Sequence, residues 1–242
     1  MNEPARIFTA KASGGVEGRD LPGLAVAFQS AAGHYLDLAA RKNGGAGNND
    51  LYAVNSDGGI VWLCYSDGWQ EVPLLSGDYV AVTEATAGDF ALALLRDGGI
   101  DVIAWSDGWK ARRAGTNFRA VDFEQPMVDI TTHDGRYFAI SGSGDLYEIS
   151  ADSSGIPEGI QKVLEGNFLS VAANTSGAAE LWLGDTKGGL FIASCQDDAW
   201  RAVRAVDSTV IYRNLHTDIH RKDGQLWAVA AGASQHLHPP NP

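Results

Sequence analysis

One short pattern returns five times along this chain, an apolar or aromatic pair followed by more apolar residues. It reads "LYAV" from Leu51, "FALA" from Phe90, "YFAI" from Tyr137, "LWLG" from Leu181 and "LWAV" from Leu226, with successive starts 39, 47, 44 and 45 residues apart. A period of that size belongs to an array of supersecondary units, each too small to bury its own apolar surface and stable only against its neighbours. No other feature of the sequence restricts the fold so strongly.

The copies share companions. "DITTHDGRYFAI" from Asp129 matches "DIHRKDGQLWAV" from Asp218, while copies one, two and four are continued alike by "DGGIVWLCYSDGW", "DGGIDVIAWSDGW" and "KGGLFIASCQDDAW". The second unit divides into four short apolar segments, "YVAVTEA" from Tyr79, "FALALLR" from Phe90, "IDVIAWS" from Ile100 and "WKARRAG" from Trp109, parted by Gly- and Asp-bearing turns. Four strands in a unit of about 40 to 45 residues are the signature of a β-propeller blade. The 29 glycines suit many turns between short strands.

The sequence therefore predicts an all-β chain, a five-bladed β-propeller of four-stranded blades forming a single domain over 1–242. The blades are expected near 21–75, 76–124, 125–166, 167–207 and 208–242. The last is completed by residues 1–15, because it stops at "QHLHPPNP" before a fourth strand, and "ARIFTAKA" from Ala5, with Ile7 or Phe8 as its apolar opening, resembles "WRAVRAV" of the fourth unit. Pairing both chain ends in one blade would leave no exposed edge. Arg41 to Asp50, "RKNGGAGNND", reads as a long loop of the first blade.

In its turn and strand rhythm the chain resembles the small lectin-like propellers, the five-bladed tachylectin-2 type in architecture and the bacterial and fungal repeat lectins in the succession of "DG", apolar strand and "GW". The resemblance spans nearly the whole chain as a pattern, with no lectin motif matched over more than a few residues. It implies a non-catalytic module for carbohydrate.

The recurring turn supplies the candidate ligand-binding residues: Asp67 with Trp69, Asp107 with Trp109, and Asp198 with Trp200. One reading makes these shallow sugar sites, the carboxylate accepting hydroxyl hydrogen bonds and the indole stacking on the ring. The other is structural. Asp is a turn residue because it bonds its own backbone, and a large flat side chain at the head of an outer strand fills the wedge between neighbouring blades. Ile160 in "EGIQKV", where the indole of the other units is expected, favours filling over stacking, since an aliphatic side chain does only the first. Cys64 and Cys195 each precede the tryptophan by five residues, with Ala104 in that place in the second unit, which reads as a small packing position; neither is expected to form a disulfide.

Other chemistry is sparse. "HTDIH" places His216, Asp218 and His220 on alternate residues, with His236 and His238 further along, but Asp218 is matched by Asp129 in a unit without these histidines, so no metal or cofactor is expected. Phosphate loops, nucleophile elbows and zinc helices are absent, "SGSGD" from Ser141 reads as a hairpin, and nothing pairs the carboxylates Asp101, Asp129 and Glu148. No enzyme is expected. A net charge of -12 and a pI near 4.8 repel nucleic acid and anionic membranes, leaving a glycan or a basic protein as partner. The N-terminus has no basic start with an apolar run, and two cysteines fit a reducing compartment, so the expectation is a soluble cytoplasmic protein. Glycan recognition is placed first, and beside it a protein-binding propeller, such as an immunity protein or inhibitor whose acidic face meets a basic toxin or enzyme.

Overall fold

The computed structural model describes residues 6–10, 16–20, 25–29, 33–40, 51–65, 69–85, 90–105, 109–113, 127–174, 180–207, 212–217, 226–230 and 233–237. All regular structure among them is β. Four sheets are four-stranded antiparallel meanders: β4 (Tyr35–Ala40), β5 (Leu51–Asn55), β6 (Ile60–Tyr65) and β7 (Trp69–Leu75); β8 (Tyr79–Glu84), β9 (Phe90–Leu95), β10 (Ile100–Trp105) and β11 (Trp109–Arg113); β12 (Met127–His133), β13 (Arg136–Ser141), β14 (Leu146–Ala151) and β15 (Pro157–Leu164); β16 (Phe168–Asn174), β17 (Glu180–Asp185), β18 (Gly189–Gln196) and β19 (Ala199–Asp207). The second matches the four segments read from the sequence. A three-stranded sheet stands at either end of the chain: β1 (Arg6–Ala10), β2 (Val16–Asp20) and β3 (Ala25–Gln29) first, β20 (Tyr212–Thr217), β21 (Leu226–Ala230) and β22 (Ala233–Leu237) last.

This arrangement corrects the expectation of five sheets closed by the N-terminus. β1 pairs with β2, Phe8 opposite Gly18, in a sheet of its own, and β20 to β22 pair only with one another among the described residues. The physical reason is local. Two strand-forming segments come directly after β1, and closing a short loop costs less chain entropy than pairing with a strand more than 200 residues away. The loop from Arg41 to Asp50 lies outside the described residues.

The first strand of each sheet packs against the first strand of the next, β4 on β8, β8 on β12, β12 on β16 and β16 on β20, so these strands form the inner wall, while fourth strands meet at the periphery, β7 with β11 and β15 with β19. Each inner strand carries a bulge at one place, between Tyr35 and Asp37, Tyr79 and Ala81, Met127 and Asp129, Phe168 and Ser170, and Tyr212 and Asn214. Repetition of the bulge fixes the register of every unit.

Both faces of each inner sheet are covered, which is why "FALALL" and "RYFAIS" are nearly continuous apolar runs. Along β9, Ala91 and Ala93 pack toward the preceding sheet with Tyr52, Val54 and Ile60, whereas Leu92 and Leu94 pack toward the following one with Met127, Ile130 and Tyr137. Along β13, Tyr137 and Ala139 face back while Phe138 and Ile140 face forward onto Phe168, Val171 and Leu181. Period-two alternation thus divides each strand between two interfaces.

Turns between second and third strands tie consecutive sheets together. Gly58 O accepts the Tyr79 amide and Gly144 O the Phe168 amide, each at 3.0 Å. Those aromatic residues follow a Gly-x-aromatic signal, Gly33 with Tyr35, Gly77 with Tyr79 and Gly166 with Phe168, in which a Cβ on the glycine would run into the ring two residues on.

Candidate functional site

In sequence the recurring turn stands between the third strand of a sheet and the fourth. Residues 66–68 and 106–108, with Asp67 and Asp107, lie outside the described residues, as do the side chains of Trp69 and Trp109. The backbones of these tryptophans open β7 and β11, with Trp69 opposite Tyr65 and Trp109 opposite Trp105.

The fourth four-stranded sheet carries the described copy. Gln196 pairs with Ala199 across two residues, Asp197 and Asp198, both with positive φ, 51° and 61°. Two left-handed residues make the hairpin turn whose twist suits its strands, and Asp is among the few side chains that tolerate it. Asp198 is exposed and serves the turn. Trp200 points elsewhere. Its ring meets Phe138 of the preceding sheet edge to face, centroids 5.2 Å apart at 66°, and its Nε1 donates to Glu148 Oε2 at 3.4 Å. Arg136 completes the joint, bonded to Glu148 Oε1 at 3.0 Å with its guanidinium 5.4 Å from the Phe138 centroid. Trp200 fills a wedge between sheets.

The ladders revise two equivalences drawn from spacing. Ile160 packs on the cluster between the second and third of the four-stranded sheets, yet it pairs with Ile149 as Ala202 pairs with Ala193; the ladder place of Trp200, opposite Cys195, belongs to Pro157, opposite Ala151. Cys64 sits opposite Gln70 and Cys195 opposite Trp200, so the two do not share a register position, and each is a partly buried cysteine outside any disulfide. Turns of unequal length cause both shifts.

The carboxylates that spacing left unpaired have separate duties. Asp101 is buried and accepts the Tyr79 hydroxyl at 3.0 Å, and Glu148 is held by Arg136 and Trp200. Asp129, just past the bulge of β12, accepts the Val171 amide of β16 at 2.8 Å and the Ile130 amide at 2.9 Å. Asp37, in the same place on β4, accepts the Val82 amide of β8 at 2.8 Å. Asp37 is a functional candidate that spacing missed; the signal was Asp at the third residue of both "YLDL" and "MVDI". Burial holds both carboxyls above the usual carboxylate range, and the Asp37 charge raises Asp129 further. The side chains of His216 and His236, and residues Asp218, His220 and His238, lie outside the described residues. Among those described, no three His, Cys, Asp or Glu side chains converge as a metal site would require.

At the opposite end from the recurring turns, where the inner strands begin, the bulge residues Leu36 and Val128 are 40% and 39% exposed, with Val80 and Leu169 partly buried in the same position. The turns at that end carry the exposed acids Asp57, Asp78, Asp97 and Glu165, of which Asp78 pairs with Arg96 at 2.9 Å and Glu165 with Lys162 at 2.9 Å.

No family model and no curated protein matches the sequence. Solved structures do. The WD40 repeats of RRP9 superpose with a TM-score of 0.61 at 14% identity over 93% of this chain and 69% of that one. The β-propeller domain of Cps50 (Swd1) from Myceliophteria thermophila gives 0.60 at 13% identity over 97% and 82%. The fold is a β-propeller. YCF48 bound to D1 peptide matches all of this chain and 90% of its own with a TM-score of 0.52 and 13% identity. The likeness concerns the path of the backbone, since identities this low carry no site residue across. Among the described residues no helix is long and apolar enough to cross a membrane.

Proposed function

We propose that this chain, taken over 1–242 as one propeller domain, is a non-catalytic recognition module whose partner is a protein. The observation that carries this is the pairing, at the mouth of the inner wall, of exposed apolar bulge residues, Leu36 and Val128, with turns bearing Asp57, Asp78, Asp97 and Glu165. An apolar centre in an acidic surround suits a protein surface that offers an apolar side chain among basic ones, and the net charge of -12 would speed its approach. Two neighbours in structure support a protein partner, one bound to a peptide and another taken from a mitotic checkpoint complex with a TM-score of 0.60. An immunity protein or inhibitor acting in the cytoplasm on a basic toxin or enzyme is the form of this reading that fits the charge.

The lectin reading rests on Asp67, Trp69, Asp107, Trp109, Asp198 and Trp200. It has support in the exposed Asp198 turn, but Trp200 spends its ring on Phe138 and its Nε1 on Glu148. One experiment separates the two. Immobilised protein is expected to retain a basic protein from lysate of its source, less of it as salt rises, and the Leu36→Ser, Val128→Ser double variant to lose it with an unchanged thermal midpoint. Glycan-array binding that Asp198→Ala removes and the double variant keeps would put the lectin reading in its place.

A further inference from the structure

The two three-stranded sheets are not alike. In every four-stranded sheet the ladder between first and second strands shifts register at the bulge, while the ladder between second and third strands runs without a shift. β20 and β21 shift between Tyr212 and Asn214, and β21 and β22 do not, so the last sheet holds first, second and third strands. β1 and β2 pair without a shift, and β2 and β3 shift between Gly18 and Arg19, as β6 with β7, β14 with β15 and β18 with β19 do. The first sheet therefore holds second, third and fourth strands, with β1 in the second place and not the outer one expected for it.

Packing agrees. β1 meets β4 as β5 meets β8, β13 meets β16 and β17 meets β20, a second strand against the next first strand. The Gly33-x-Tyr35 signal after β3 is the one that follows the fourth strands β7 and β15. Among the described residues the inner place beside β1 is thus empty, and so is the outer place beside β22.

Two hairpins are built for the places beside β20. β1–β2 leaves residues 11–15, "KASGG", between Ala10 and Val16, matching "NSDGG" between Val54 and Ile60 and "DTKGG" between Gly184 and Leu190. β21–β22 turns on Ala231 and Gly232 alone, between Ala230 and Ala233. The hairpin now beside β20 is the irregular one.

We propose that the free edge of β1 is a strand-docking site and that its occupant is β20, which exchanges β21 for β1. The exchange builds one complete sheet, β20-β1-β2-β3, and frees the hairpin β21–β22. Little else has to move in register, because β20 is already docked on β16 and β17, and β1 on β4. β20 keeps one ladder in either arrangement. The local pairing closes a shorter loop, but that advantage grows only as the logarithm of loop length. In the closed arrangement Arg213, in the bulge of β20, takes the register position before Leu36 in the sequence of bulge residues Leu36, Val80, Val128 and Leu169.

The register of the exchange is fixed by the other sheets. Val54 stands opposite Asp37 and before its five-residue turn as Ala10 stands before "KASGG", which sets Asn214 opposite Ala10 and Leu215 opposite Thr9.

Disulfide trapping in the full chain tests it, in a Cys64→Ala, Cys195→Ala background. Leu215→Cys is combined either with Ala228→Cys, its partner in the present ladder, or with Thr9→Cys. Both pairs hold the place of Leu38 opposite Ala53, so strand geometry favours neither. Each is expected to give a disulfide within one chain after mild oxidation, read by mass spectrometry of the digest. Complete linkage at 215 and 228 with none at 9 and 215 would overturn the proposal, as would a link between 9 and 215 found only between two copies. Hydrogen exchange of the unaltered protein needs no variant. β21, the middle strand of its sheet, is expected to exchange its amides about tenfold faster or more than β20, because only β20 is paired in both arrangements. Protection of β21 equal to or above that of β20 would refute the exchange of partners.

Discussion

At Trp200 the recurring turn ends in an indole spent between two sheets, and the aspartates before it supply backbone geometry. The sequence reached that role by a partly mistaken route, through Ile160, which packs in a wedge but from the ladder place of Ala202. What made the inference sound was chemistry, since a site that must only be filled accepts unlike residues; what sequence lacked was the register that turn length imposes. Glycines test the same level of detail. Gly144 has φ +92, and a Cβ there would lie 2.6 Å from Asn167 Cα in the lead to the next sheet, whereas Gly135 has φ +76 with open space around it. Gly135→Ala is expected to cost about 1 kcal/mol, the left-handed penalty alone, and Gly144→Ala at least about twice that, measured by urea unfolding. Equal costs would mean that the Gly144 turn does not dock on its neighbour.

Hairpin turns and bulges, more than the strands, give the elements their register. Asp185 shows how: its Oδ1 accepts the Gly189 and Lys187 amides at 2.6 and 2.9 Å, and Oδ2 takes Arg204 at 3.4 Å. Asp185→Ala leaves those amides to find water and is expected to lower unfolding stability by about 1 to 3 kcal/mol, with Asp185→Asn recovering part of it because its amide oxygen still accepts. A neutral Asp185→Ala would contradict the importance given to this turn. Strand identity was legible wherever both faces are buried, as in β9, but the ladder sets Ala91 opposite Ile103 as Leu51 is opposite Leu63, one residue on from the "FALA" start at Phe90. A slip of one exchanges the faces of a strand. Similarly Asn214, opposite Val229, holds the place of Asp129, opposite Ile140, while Asp218 is outside the described residues. Of the first sheet only the strand in "ARIFTAKA" was legible, and its partner was not, because "VEGRD" offers neither an apolar run nor clear alternation.

Across the whole molecule, the repeat period announced stacked sheets, while the number of sheets and the partner of the N-terminal strand depended on local pairings with no strong sequence signature. The propeller is a series of interfaces, each lined by alternate side chains of two neighbouring second strands and closed on its outer side by a residue such as Trp200. Under the proposed function, recognition falls to the ends of the array, as in other scaffolds whose loops carry function. A double-mutant cycle on Phe138→Leu and Trp200→Leu, read by urea unfolding, probes that architecture across one interface. The two rings are expected to couple by about 0.5 to 1.5 kcal/mol beyond the sum of the single changes; strictly additive effects would mean that the indole does not bridge the sheets and would return it to the solvent side as a residue free to bind a ligand.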